Sequence, residues 1–553
     1  MTNKNPSDTR FFILIGAFLG ALSGLALIGV LSLGDSLFGF PFVPFDIFDW
    51  MARSLPGWLI GTVISTMVAV IRFLQGFLPI GDISTTAKLA EQAIALLQLV
   101  AGGALFGALL AWQAGKPNRN LIKFGQIGGL VLLGVSVLIE ILLANPQLSG
   151  PSFMWLGFVF LGWGWGLAWL IERVPPKDVV EKDSRVISRR QFLAVSGAGL
   201  AAAAVGAWGL GKLFGGNGLP AAAGEPTPQP VSGEDPFGAA LTSGPAASPS
   251  PQQLAARQAP VNGTRPELTS NEEFYRIDIN TRPPQLDGAV WRLHVNGLVD
   301  SQLELSLDDL RSMPAQTQIL TMQCISNPIG GDLSSSSRWT GVRFMDVLAS
   351  AGIQASAAGA YITSADGFYE FVTMEDIQDE RCLLVYEMNG VALPVEHGFP
   401  LRVYIPNRYG MKQPKWIENI ELVADRMPGY WVDRGWDREA YVNTVSVVDT
   451  VMVDPDQGEA GMALCGGIAW ASAKGISKVE VQVDSEDWAD AELISPPLSP
   501  LNWMLWRYAF PYEPGRHTVS VRAYDGSGQL QVTERRPTQP SGATGIHSAD
   551  VDL

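Results

Sequence analysis

The chain has 553 residues, a formal net charge of −16 and three cysteines. That length calls for several domains, and the acidic balance speaks against nucleic-acid binding, which wants a basic footprint. So few cysteines exclude a disulfide scaffold.

Residues 1–214 carry 15 Lys/Arg against 11 Asp/Glu, and the rest of the chain carries 23 against 43. The first part reads as a membrane region of five to six helices. Phe11–Leu33, Trp58–Leu78, Ala93–Trp112, Phe124–Leu143 and Phe153–Ile171 are each long and apolar enough to span a bilayer. The aromatic, Pro-broken stretch Phe40–Trp50 suits an interfacial segment. Arg72 and Glu140 are charges within spans, for which a functional role and a snorkelling position are equal alternatives, and Glu140, close to a helix end, reads as interfacial. The basic loop Lys116–Lys123 and the tract Arg173–Arg190 flank a two-span hairpin, and both read as cytoplasmic. The orientation of the earliest segments stays open, because Lys4 and Arg10 oppose the outside N-terminus that five spans require. Ser188-Arg-Arg-Gln-Phe-Leu193 precedes the mildly apolar Ala194–Phe214 and resembles a twin-arginine export signal. The plainer alternative is a positive flank on a sixth helix. No histidine precedes His294, which removes haem held by paired histidines from this region. An anchor, an assembly surface or a quinone site remains.

Residues 215–270 are rich in Pro, Ala, Gly and Ser and read as a disordered tether. Residues 271–440 mix strands with short helices. Ala289–Gly297 alternates like a half-buried strand, Ser306 opens a helix with a capping-box-like start, and Gln318–Met322 is a strand running into Cys324. Tyr361–Ser364 and Leu383–Met388 are further strands. In residues 441–553, Ala463–Trp470, Ser477–Val483, Trp503–Phe510 and His517–Tyr524 alternate at period 2, with a turn at Asp525-Gly526. This spacing suggests an immunoglobulin-like β-sandwich. Cys382 and Cys465 read as core thiols, and Trp470, Trp488, Trp503 and Trp506 as sandwich core.

Cys324 is different, because it lies between a short apolar strand and the Gly-rich turn Asn327-Pro-Ile-Gly-Gly331. A lone thiolate there can ligate a metal cofactor, although a buried structural cysteine is an equal alternative. Downstream stand Glu387-Met-Asn-Gly390, His397-Gly-Phe-Pro-Leu-Arg402 and Lys415-Trp416. Together with the Cys324 loop and the sandwich, these ordered motifs resemble the sulfite oxidase family of molybdopterin enzymes over residues 271–553.

The resemblance implies that Cys324 ligates molybdenum beside the two dithiolene sulfurs of one molybdopterin. His397, Arg402 and Lys415 then match positions that hold the cofactor's phosphate and pterin, and Asp366 is a further pterin contact. Phe274, Tyr275, Arg276, Ile277 and Asp278 match a segment lining the pterin, with Arg276 facing the metal pocket. The family's haem domain and any haem motif are lacking, so the resemblance leaves electron exchange to an external cytochrome or quinone-linked partner. It also implies a homodimer.

Sulfite oxidases follow their cysteine with a Gly-Asn-Arg-Arg-like run, whereas this chain has Ile325-Ser-Asn327-Pro and no arginine. The family's tyrosine near the metal aligns best with Trp436. These departures favour a neutral small-molecule substrate such as a sulfoxide or N-oxide over sulfite. The expected protein is an oxidoreductase anchored in membrane lipid, with its catalytic domains on the outer face of a cell membrane. The rival reading is a non-catalytic membrane assembly or binding protein that keeps the fold.

Overall fold

The structure, a computed structural model, describes residues 6–55, scattered positions between 59 and 73, 83–114, 119–143, 147–174, 189–214, 249–453 and 461–553, with single positions at 116 and 145. These fall into two compact units. One takes its residues from within Met1–Leu55 and Thr86–Ala222, with Asn280–Arg282. The other lies within Pro56–Thr85, Ala223–Ile279 and Pro283–Leu553.

The first unit is helical: α1 (Pro6–Phe38), α2 (Val43–Ser54), α3 (Ile83–Ala114), α4 (Leu121–Leu142), α5 (Gly150–Glu172) and α6 (Arg189–Phe214). Five of these, all but α2, are long and apolar enough to cross a membrane. The expected interfacial segment forms α2, a helix of 12 residues, too short to span. In the absence of a hydrophobic drive between helices in lipid, close backbone approach at small residues holds spans together. Here a Cβ at Gly20 would collide with the Gly103 carbonyl oxygen, so α1 and α3 meet where neither has a side chain. Glu140 corrects its expectation: it does not snorkel but is 1 % exposed, and its Oε2 accepts a hydrogen bond from Asn145 Nδ2 at 2.7 Å. Most of the expected span Trp58–Leu78, Arg72, Ser188 and most of the tract Arg173–Arg190 lie outside the described residues.

The second unit opens with an arm. Residues 215–248 lie outside the described residues, but from 249 onward the expected tether is packed. Ser250 caps α7 (Pro251–Ala255). Val261 is buried, and the Arg265 guanidinium pairs with Asp449 at 2.7 Å. The low-complexity composition hides these anchors because their partners lie far along the chain.

Next come β1 (Leu293–Gly297), β2 (Leu303–Leu305), α8 (Leu307–Ser312), β3 (Ala315–Gln323), β4 (Ser334–Arg343), α9 (Phe344–Ala351), β5 (Gly359–Ser364), β6 (Tyr369–Thr373), α10 (Met374–Gln378), β7 (Leu383–Met388), β8 (Val391–Ala392), β9 (Arg402–Tyr404) and β10 (Ile417–Val423). Ser306 caps α8, since its hydroxyl accepts from the Asp309 amide while Asp309 answers the Ser306 amide. The strand expected from Ala289 begins only at Leu293, because the amides of Val290 and Trp291 turn back onto the Asp287 carbonyl. One sheet has the order β2-β1-β10-β5-β6, with β1 and β10 parallel. A second has the order β3-β4-β7-β8, with β9 on β7. Leu293, Val295, Ile362 and Ile420 pack with Leu310, Phe344 and Val347 into the core.

The C-terminal part forms two four-stranded sheets from β11 (Val445–Met452), β12 (Met462–Trp470), β13 (Ile476–Val483), β14 (Ala489–Asp490), β15 (Glu492–Leu493), β16 (Met504–Pro511), β17 (Arg516–Asp525) and β18 (His547–Asp552). Their orders are β11-β12-β16-β15 and β14-β13-β17-β18. Ala463, Cys465 and Trp506 of one sheet share a core with Val479, Val519 and Val521 of the other. Cys382 and Cys465 are both fully buried core thiols. Trp488 corrects the expectation of four core tryptophans: Trp470, Trp503 and Trp506 are buried, but Trp488 is only half-buried and stacks beneath Arg522.

Candidate active site

Cys324 directly follows β3 and opens a closed loop. Its amide donates to the Leu333 carbonyl at 3.0 Å, and the Asn327 amide donates to the Cys324 carbonyl at 3.0 Å. Asn327 Oδ1 accepts from the Leu333 amide, so the side chain braces the loop from inside. The pairing of Gln323 with Ser334 then returns the chain into β4. This fixes the sulfur at a strand-to-loop junction, where binding groups gather. Burial pushes the Cys324 thiol up, offset by hydrogen bonds from Ser326.

Two tyrosines lie near the Cys324 loop. Tyr275 lies close enough that Cys324 and Arg402 both act on its titration, and burial drives its phenol far above the ordinary range. Tyr409 also senses Cys324, and burial pushes its phenol to about 12. The Tyr275 hydroxyl and the Gln323 carbonyl both pack against Gly410. Beside them Ile325, Tyr409, Met411 and Ala440 form a buried cluster covered by Trp431 and Trp436. Trp436 therefore lies in the same cluster as the residue next to Cys324.

The cationic residues meet beside this cluster. Arg402 leaves β9 buried, its Nη1 donating to the His397 carbonyl at 3.0 Å and its guanidinium 4.9 Å from the Trp339 ring centre. Gly398, at φ +115°, lets the chain turn where a Cβ would lie 3.1 Å from the Cβ atoms of both Arg402 and Lys415. The Phe274 ring stacks on Tyr275 and meets Trp339 and His397 edge-on. Arg276 Nε pairs with Asp278 at 2.7 Å, and Lys415 Nζ lies 3.5 Å from the same carboxylate. Asp366 is buried at the turn before β6, accepting from the Phe368 amide. Ile277 is the one expected contact that is exposed, at 37 %.

These charges are mutually strained. Burial lowers Lys415 to about 8, Asp278 opposes that, and Arg402 and Arg276 add to it. Burial lowers Arg402 to about 10. Arg276 Nη2 and Arg402 Nε are buried without a hydrogen-bond partner among the described residues. Like charges crowded together with unused donors fit an anionic ligand, which would relieve both the repulsion and the desolvation.

His397 Nε2 lies 2.8 Å from the Asn271 carbonyl, which can only accept, so Nε2 carries the proton. Burial, together with repulsion from Lys415, Arg402 and Arg276, lowers His397 to about 3 from its ordinary 6.5. The unfolded chain therefore takes up a proton below 6.5 that the folded one refuses until about 3. Stability of the ligand-free protein should fall as pH drops through that window. Thermal midpoints between pH 7 and 4 should show a flatter slope for His397→Gln. Identical slopes would mean that His397 is protonated in the folded protein.

Sequence reasoning missed Tyr409, whose only signal is the Tyr-Gly pair between Arg402 and Lys415. It also missed the buried ion pair between Lys412 and Glu370, at 2.5 Å, behind the same tripeptide Gly410–Lys412.

The family described as oxidoreductase molybdopterin binding domain matches residues 280–431. The uncharacterised oxidoreductase YuiH of Bacillus subtilis is 32% identical over 150 residues, covering 27% of this chain and 74% of that protein. Mitochondrial sulfite oxidase of Rattus norvegicus is 28% identical over 316 residues, 48% of this chain; the chain spans 58% of that relative's length. A proposed protein-methionine-sulfoxide reductase subunit, YedZ1, of Azospira oryzae is 29% identical over 153 residues, covering 28% of this chain and 56% of that protein.

Proposed function

The chain belongs to the sulfite oxidase family of molybdopterin-dependent oxidoreductases, and we propose that it is a membrane-anchored enzyme that removes an oxygen atom from a sulfoxide, an N-oxide or oxidised methionine. The observation that carries this reading is the Cys324 loop. It presents one buried thiol at a strand-to-loop junction, yet Ile325–Leu333 contains no arginine to hold a sulfite anion. A buried anion that loses its cationic partner costs roughly 3–5 kcal/mol, which disfavours sulfite. The aromatic cover of Trp431, Trp436 and Tyr409 suits a neutral acceptor instead.

Cys324 is the metal ligand, a soft thiolate suited to a metal already bound by sulfur. Arg402, His397 and Lys415 hold the cofactor's phosphate and pterin, where a guanidinium can bind phosphate through two donors. Phe274, Tyr275, Ile277, Asp278 and Asp366 line the pterin. The molybdenum cofactor, when bound, supplies two-electron oxygen-atom exchange. Arg276 offers Nη2 to the substrate oxygen, and Trp436 walls the pocket against water. The overall change consumes two electrons and two protons and yields the deoxygenated substrate and water. An external carrier, a cytochrome or a quinone-linked protein, provides the electrons. The segment Arg189–Phe214, which opens with Arg189-Arg190-Gln-Phe-Leu193, acts as a twin-arginine signal and retained anchor, with the catalytic domains outside an inner membrane. The C-terminal sheets form an immunoglobulin-like domain suited to making a homodimer.

Metal analysis and a reductase assay test this reading. The purified full chain should hold about one molybdenum per chain, as a single-cysteine site requires. With a reduced viologen it should reduce methionine sulfoxide or trimethylamine N-oxide faster than it oxidises sulfite. Molybdenum-free protein, or preferred turnover of sulfite, would refute it.

A further inference from the structure

Ser326 lies on the turn that Cys324 opens. The Asn327 amide returns to the Cys324 carbonyl, which puts Ile325 and Ser326 at the centre of that turn. The Ile325 side chain enters the aromatic cluster, and the Ser326 side chain comes back to the cysteine, its Oγ 3.0 Å from Sγ. A thiol and a hydroxyl could donate in either direction. A deprotonated, metal-bound sulfur can only accept, so in that state the serine hydroxyl must be the donor. Among the described residues the hydroxyl makes no other hydrogen bond, so helix capping or loop bracing does not account for it. The bracing belongs to Asn327.

We propose that Ser326 is a positioning residue that holds the Cys324 sulfur in its ligating orientation and withdraws electron density from it. The inference rests on the molybdenum reading above. Hydrogen bonds to a ligating sulfur reduce its donation to the metal and so raise the metal's reduction potential. Ser326 thus biases the centre towards accepting electrons, the half-reaction that must precede reduction of an oxygenated substrate.

The test compares the full chain with Ser326→Ala and Ser326→Thr, reading molybdenum content and the midpoints of an EPR-monitored redox titration. Ser326→Ala should keep about one molybdenum per chain, as the single ligand Cys324 allows, with both molybdenum couples moved to more negative potentials. Ser326→Thr, which keeps the hydroxyl, should return them to the unmodified values. Loss of metal from the alanine variant alone, with the threonine variant loaded, would equally support the hold on the sulfur. Metal-loaded alanine variant with unmoved midpoints would overturn this inference and leave the proposed function standing. Absence of molybdenum from the unmodified chain would overturn both.

Discussion

Cys324→Ser should abolish molybdenum-dependent turnover while leaving the fold intact. The substitution exchanges one buried atom for a slightly smaller one, and a hydroxyl at that place can still reach Ser326 Oγ. The packing therefore changes little. The chemistry changes completely, because an unionised hydroxyl is a poor ligand for a metal that selects soft sulfur. The loss should exceed the ~10–100-fold that removing a mere outer-shell partner costs. Viologen-linked reductase activity, molybdenum content and near-UV circular dichroism together check it. Full activity in this variant would rule out Cys324 as the metal ligand.

Arg402→Met should move two measurements in opposite directions. On the proposed function the guanidinium partners an anionic group of the cofactor, and its removal should cost roughly 2–5 kcal/mol of binding. At about 1.4 kcal/mol per tenfold, retention of the cofactor should weaken by on the order of 100-fold. In protein made without molybdate the same change removes a buried charge whose Nε has no hydrogen-bond partner among the described residues. An apolar side chain of similar length there should leave the thermal midpoint unchanged or raise it. Arg402→Lys keeps charge without the two-donor fork, and should fall between. A cofactor-free midpoint that drops sharply in Arg402→Met would show that Arg402 serves packing against Trp339 rather than a ligand.

The sequence singled out candidates where one residue type has one chemical use. Cys324, His397, Arg402 and Lys415 stand in order along the chain, and folding brings the last three together through Gly398, beside a tyrosine that senses Cys324. Strands such as Leu383–Met388 were legible as a short, mostly apolar run of strand length closed by the turn pair Asn389-Gly390. Tyr409 was not, since a tyrosine in the polar loop Asn407-Arg-Tyr-Gly410 shows no chemistry until folding buries it against Ile325. Nor was the Lys412–Glu370 pair, whose members are 42 positions apart. The ordered arm from residue 249 failed for a related reason. Its composition is that of a tether, and Arg265 acquires meaning only when Asp449 arrives. Short edge strands such as β14 and β15, two residues each, carry too few positions for any period to register.

The parallel pairing of β1 with β10 joins His294 to Asn419 and Val295 to Ile420, across more than a hundred intervening positions. Every residue assigned to the phosphate and pterin from Asp366 to Lys415 lies inside that span. Contacts of such long reach form slowly, because loop closure must precede any reward. A nascent chain emerging from the ribosome therefore offers no cradle until strand β10 has been made, and Asp449, the anchor for Arg265, comes later still. On the proposed function, loading follows translation on a nearly finished molecule, and export of this half as an unfolded thread would forfeit it.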